Sequence, residues 1–151
     1  MNDSTRPVSG LSPAPRIVEI AAVPLFGESP KGGWSVEIQP DDSIHALIAV
    51  HTDAGITGYG SVFTDGRLAK AGVEVLRPLL IGENAMEPER ICERLHQNTF
   101  WMGRGGTLTH VAGGVDIALW DILGKALGQP VGRLLGGTYR NRAQPYCSLL
   151  M

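Results

Sequence analysis

At 151 residues the chain suits one domain, or one domain with a fragment of another, and is long enough to bury a sizeable core. Its 43% hydrophobic and 19% charged residues read as globular, and a net charge of -2 gives no electrostatic case for nucleic acid or an anionic membrane. No apolar run approaches the roughly 20 residues of a membrane-spanning helix, and "MNDSTRPVSGLSPAPR" lacks the basic and apolar blocks of a signal peptide. The expectation is a flexible leader over residues 1–15 and a cytoplasmic protein.

Ordered structure is expected from Arg16. "RIVEIAAVPLF" and "SIHALIAVHTD" are β-rich runs, and "ITGYGSVF" follows the second after Asp53-Ala54-Gly55, a short loop with the glycine that a hairpin needs at a left-handed position. These three runs predict an antiparallel meander. Between the first two, Gly27 to Asp42 is glycine- and proline-rich and too long for a tight turn. After Asp65, a fitting N-cap, "GRLAKAGVEVLRPLL" has helical spacing of Leu68, Val75, Leu76 and Leu79, until Pro78 and Gly82 weaken it. A second helix opens near "MEPER" with Pro88 in its first turn and Ile91, Leu95 and Phe100 on one side. "GRGGT" interrupts. The third helix runs from about Leu108 to Leu127, and its apolar positions Val111, Val115, Ala118, Leu119, Ile122, Leu123, Ala126 and Leu127 predict burial on most sides. Gly128 and Pro130 end it.

Residue by residue, little of this is overt chemistry. Asp121 and Lys125 are four apart, the order that favours an ion pair on a helix. Asp116 precedes Asp121 by five positions, about 140° around the helix, so the two cannot pair for acid/base work or for a metal. Both read as structural. His45, His51, His96 and His110 show no ligand spacing. "GRGGTL" lacks the last glycine of a dinucleotide loop and "GRLLGGT" lacks the P-loop lysine, so both read as turns. Cys92 and Cys147 form no C-x-x-C arrangement and read as ordinary buried thiols. No serine or cysteine sits in a nucleophile elbow.

"GGVDIALWDILGKALGQPVGRLLGG", preceded by "AGITGYG" at the third strand, closely resembles the N-terminal region of the mandelate racemase and muconate lactonizing enzyme group of the enolase superfamily, over roughly Arg16 to Ser148. The resemblance implies an α+β capping domain over residues 16–137, a three-stranded antiparallel meander followed by a helical bundle. "NRAQPYCSLL" resembles the first strand of a TIM-type barrel, which makes residues 138–151 the start of a second domain otherwise absent. Family members abstract the proton α to a carboxylate and stabilise the enediolate on Mg²⁺, with ligands and bases on later barrel strands. The expectation is therefore no catalytic residue and no metal ligand in this chain, Mg²⁺ bound by the barrel domain, and no activity from the 151 residues alone.

For the complete enzyme the resemblance implies acid-sugar dehydration first, with 2-hydroxy-acid racemisation or epimerisation, or cycloisomerisation, as alternatives, and homo-oligomers. A free-standing cap serving as a non-catalytic binding or assembly module is the reading from another class. The substrate would be a small hydroxy acid or acid sugar, closed over by loops matching Phe26 to Ser35 and Ser61 to Arg67. On that mapping Lys31, Trp34 and Phe63 become substrate contacts, Arg104 in "WMGRGG" reaches an anion, and Ser148 lies near the end of the first barrel strand.

Overall fold

The computed structural model describes residues 14–26 and 45–146. Three strands, β1 (Ile17–Leu25), β2 (His45–Thr52) and β3 (Thr57–Phe63), form an antiparallel sheet in the order β1-β2-β3. The expected meander is there, and its register aligns Ala22 with Ile48 and Ile48 with Gly60. The β2–β3 turn takes its shape from Gly55, whose φ of 74° places it in the left-handed region. Thr52 closes the same turn: its hydroxyl donates to the Ile56 carbonyl at 2.9 Å and accepts from the Ile56 amide at 3.1 Å, so this buried polar group is satisfied.

The inner face of the sheet carries Ile20, Ala46, Ile48, Val50 and Val62, all buried, and the helices cover it. A register shift between Ile17 and Glu19 lets both Ile17 and Ile20 enter this core. The other face keeps Val23, Leu25, Tyr59 and Phe63 exposed.

The first helix, α1 (Gly66–Leu80), begins as expected at Asp65, whose carboxylate accepts from the Arg67 amide at 2.8 Å. Its buried face differs from the sequence expectation. Leu68 and Val75 turn to solvent, while Ala69, Gly72, Val73, Leu76 and Leu80 face the core. The reason is close packing: a Cβ on Gly72 would lie 2.9 Å from Val111 Cγ2, so small residues and not large ones mark the contact. Pro78 does not stop this helix, which continues to Leu80; Pro78 stands in the last turn, and Arg77 beside it donates to the Ile20 carbonyl at 3.0 Å, tying α1 to β1.

A connector returns to the start of the sheet. Gly82 donates to the Ile17 carbonyl, Ile17 to the Glu83 carbonyl and Ala85 to the Pro15 carbonyl, at 2.8, 3.0 and 2.9 Å. Glu83 pairs with Arg90 and with Arg94, the latter at 2.7 Å, and the Arg90 hydrogen bond holds its carboxyl below the usual range. Helix α2 (Pro88–Thr99) starts on Pro88 and buries Ile91 and Leu95, while Phe100 opens a 3-10 turn (Phe100–Met102) and is exposed instead of joining their face.

Gly103 and Gly106, with φ of 101° and 79°, make the break before α3 (Thr107–Leu127). Here too the expectation was too broad. Val111, Val115, Ala118, Leu119 and Ile122 are buried, but Leu127 is half exposed, Ala126 is open and Leu123 is only partly covered. The last turns of the helix have run beyond the sheet that covers its middle. Gly128, at φ 62°, caps α3 by donating to carbonyls of its last turn, and a short α4 (Val131–Leu134) follows that the sequence did not signal. Residues 141–146 form no strand, and the rest of the expected first barrel strand lies outside the described residues.

The seam between α3 and β3 organises the domain. A Cβ on Gly60 would fall 1.9 Å from the Gly114 carbonyl oxygen, and a Cβ on Gly114 would fall 2.9 Å from Ile48 Cγ1. Gly58 faces Ala118 in the same way. The glycines of "TGYG" therefore let the helix backbone lie directly on the strand. Among the described residues no helix is long and apolar enough to cross a membrane.

Candidate functional site

Moving along β3 from Gly58 to Gly60, the facing residues of α3 move from Ala118 back to Gly114, so helix and strand are antiparallel. The start of α3 therefore lies at the end of the sheet where β3 finishes. Leu25, His45 and Phe63 stand in register at that same end. Both ends of the β1–β2 connection, at Phe26 and His45, are thus anchored beside Phe63.

Phe63 is 60% exposed, and its ring meets His45 edge-on with centroids 4.9 Å apart and planes at 72°. Two residues on, hydrogen bonds from Arg67 hold the Asp65 carboxyl down to about 2, so Asp65 is a fixed anion at the mouth of this turn. Lys31 and Trp34, in the β1–β2 connection, and Ser148 lie outside the described residues.

Arg104 is exposed on the loop before α3, with its guanidinium 4.8 Å from the centre of the Phe100 ring. It lines a cavity of about 300 Å³ with His96, Thr99, Phe100 and Thr109. Phe63 and Arg104 share one end of the domain, but their ring contacts go to His45 and Phe100 respectively.

The two helix aspartates have separate roles. Asp121 pairs with Lys125 at 2.6 Å, as the spacing predicted, and it does something the spacing did not show. Its Oδ2 accepts from the Tyr59 amide at 2.9 Å, while Lys125 Nζ donates to the Thr57 carbonyl at 2.7 Å and lies 4.8 Å from the Tyr59 ring centre. Together they satisfy two backbone groups of edge strand β3, the Tyr59 amide and the Thr57 carbonyl, and latch it to α3. The Asp116 side chain makes no hydrogen bond among the described residues; burial pushes its carboxyl up, Glu89 adds to this and His96 opposes it. Cys92 is half-buried rather than buried, because it lies at the edge of the α2–α3 contact, and desolvation raises its thiol. Cys147 is outside the described residues.

Sequence reasoning missed His45, although counting cross-strand pairs outward from the Gly55 turn places it opposite Phe63. It also missed the cavity, which no linear spacing encodes. Among the described residues no three His, Cys, Asp or Glu side chains gather in a way that could hold a metal ion.

Comparisons with known proteins agree with this architecture. Residues 40–136 match the family model for the mandelate racemase / muconate lactonizing enzyme N-terminal domain. The chain is 38% identical over 104 residues to a D-xylonate dehydratase of Haloferax volcanii, covering 68% of this chain and 25% of that protein. It is 39% identical over 102 residues to a D-galactonate dehydratase of Verminephrobacter eiseniae, covering 66% of this chain and 26% of the relative. A crystal structure of a mandelate racemase/muconate lactonizing protein from Paracoccus denitrificans, complexed with magnesium, superposes with a TM-score of 0.69 at 28% identity, over 85% of this chain and 32% of that one. The chain thus spans about a quarter of the length of the curated relatives it matches.

Proposed function

The chain belongs to the mandelate racemase / muconate lactonizing enzyme family through its N-terminal domain, and from that premise we propose that it is the substrate-capping portion of an acid-sugar dehydratase. The observation that carries this reading is the likeness, at 38% and 39% identity across the cap, to two proteins named for dehydrating D-xylonate and D-galactonate. Residues 16–137 form the cap in this reading, and residues 138–151 begin the barrel.

The division of labour follows from where donors lie. Mg²⁺ supplies the electrostatic stabilisation of a carboxylate-linked anion when bound, and in this reading its ligands belong to the barrel, as the family resemblance implies. What the cap contributes is closure. The exposed Phe63 ring, backed by His45, forms an apolar wall at the end of the sheet that excludes water from the reacting carbons. Lys31 and Trp34 act from the β1–β2 connection anchored beside it, Lys31 on a hydroxyl or carboxylate and Trp34 by stacking. Arg104 supplies positive charge at the same end, and Ser148 is a further substrate contact of this reading. The net reaction removes the proton on C2, breaks the C3–O bond to release water, and leaves an enol that becomes a 2-keto-3-deoxy acid.

The test joins this chain to the barrel portion of the D-galactonate dehydratase and assays the fusion with D-galactonate and D-xylonate in D₂O. The dehydratase reading expects keto-acid formation from at least one of them. A folded fusion that forms keto acid from neither would overturn it.

A further inference from the structure

The cavity between the end of α2 and the start of α3 gathers three side chains that can donate hydrogen bonds, Arg104, His96 and Thr109. Arg104 forms no ion pair among the described residues; its guanidinium is steadied only by the Phe100 ring, 4.8 Å away. The His96 and Thr109 side chains also line the cavity and make no hydrogen bond among the described residues, although His96 acts on the Asp116 carboxyl through space, whereas the Thr99 hydroxyl is committed to the Leu95 carbonyl at 2.8 Å. No Asp or Glu belongs to the lining. The positive guanidinium of Arg104, an imidazole and a hydroxyl with no hydrogen-bond partner around one concavity can donate charge-assisted hydrogen bonds to an anion. The first turn of α3 follows Gly106, which has no side chain to cap it, so its field adds to the same sign.

We propose that this cavity binds a small oxyanion, held by Arg104, His96 and Thr109, with Phe100 positioning the guanidinium. At about 300 Å³ it has room for a carboxylate or phosphate group with part of a short carbon chain, and none for a dinucleotide. The two sources sharing this chemistry are the carboxylate of a hydroxy acid and inorganic phosphate. The assignment rests on this chain's own residues and does not require the dehydratase reading.

The experiment follows the ring resonances of His96 in the 151-residue chain, assigned by loss of one of four histidine signals in His96→Gln. Separate titrations use D-galactonate, inorganic phosphate and neutral D-galactose at constant ionic strength. A saturable shift with D-galactonate alone identifies the carboxylate, one with phosphate alone identifies phosphate, and one with both identifies a general oxyanion site; each supports the proposal. Arg104→Gln should weaken that binding by about tenfold or more, while Arg104→Lys retains part of it. The thermal midpoint of both variants, at an exposed side chain, should stay with the parent. No saturable shift with either anion, an equal shift with the neutral sugar, or equal affinity in folded Arg104→Gln would overturn it.

Discussion

Replacing Gly60 with alanine puts one methyl group where the structure has no room. Its Cβ would lie 1.9 Å from the Gly114 carbonyl oxygen and 3.1 Å from the Ala118 amide nitrogen, both backbone atoms that no rotamer can move. Restoring ordinary contact requires α3 to withdraw by about 1.5 Å, since such contacts begin near 3.4 Å. A withdrawal of that size disturbs the packing of Ala118 and Ile122 against the strand and lengthens the Asp121–Tyr59 and Lys125–Thr57 hydrogen bonds. Overpacking alone costs about 1–3 kcal/mol, and with the disturbed latch the loss should reach about 3 kcal/mol or more. Against a typical stability of roughly 5–15 kcal/mol this is a large share, equivalent to a fall of roughly 10 °C in the midpoint. Urea and thermal unfolding of the 151-residue chain measure it. Gly113→Ala is the matched control: the position is exposed with nothing within 4 Å of the added Cβ, so helix propensity should raise stability by about 0.5–1 kcal/mol. A Gly60→Ala chain within 1 kcal/mol of the parent would refute the close-approach account of "TGYG".

Asp121→Ala should cost about 1 kcal/mol in urea unfolding, because it frees the Tyr59 amide and Lys125 together, and a double-mutant cycle with Lys125→Ala should show the two changes to be non-additive. Asp116→Asn should be more stable than the parent at pH 7. Burial raises the Asp116 carboxyl, so the folded chain keeps a proton where the unfolded chain has released it, and stability falls as pH rises through that window. The advantage should therefore close when midpoints are compared below the ordinary carboxylate range. Phe63→Ala in the barrel-fused protein should raise KM or lower kcat/KM while leaving the midpoint nearly unchanged, since the ring is 60% exposed; a large midpoint fall with normal kinetics would place Phe63 in a structural role.

Local signals read well from this sequence where a residue's own chemistry decides the outcome. Asp65 as N-cap, Pro88 at a helix start, Gly55 in the hairpin and Gly128 as helix stop each act through the backbone of neighbouring residues, and each appears in the structure as expected. Faces read less well. Hydrophobic size placed Leu68 and Val75 inward on α1, whereas closeness of approach at Ala69 and Gly72 sets the real contact, and closeness depends on Val111 from α3. Asp121 illustrates the same limit. Its partner Lys125 is four residues away and legible, but the Tyr59 amide, 62 positions distant, is not. The candidate site divides similarly: Phe63 and Arg104 entered through family resemblance, while His45 and the cavity around His96 required the register and the helix packing.

Turnover of D-galactonate and D-xylonate by the 151-residue chain, measured beside the same chain fused to a dehydratase barrel, decides whether the cap works only with a barrel beneath it. No keto acid is expected from the chain alone, with or without Mg²⁺, and keto acid is expected from the fusion. Turnover that follows the isolated chain through purification, or a folded fusion that binds Mg²⁺ and converts neither sugar acid, would contradict it.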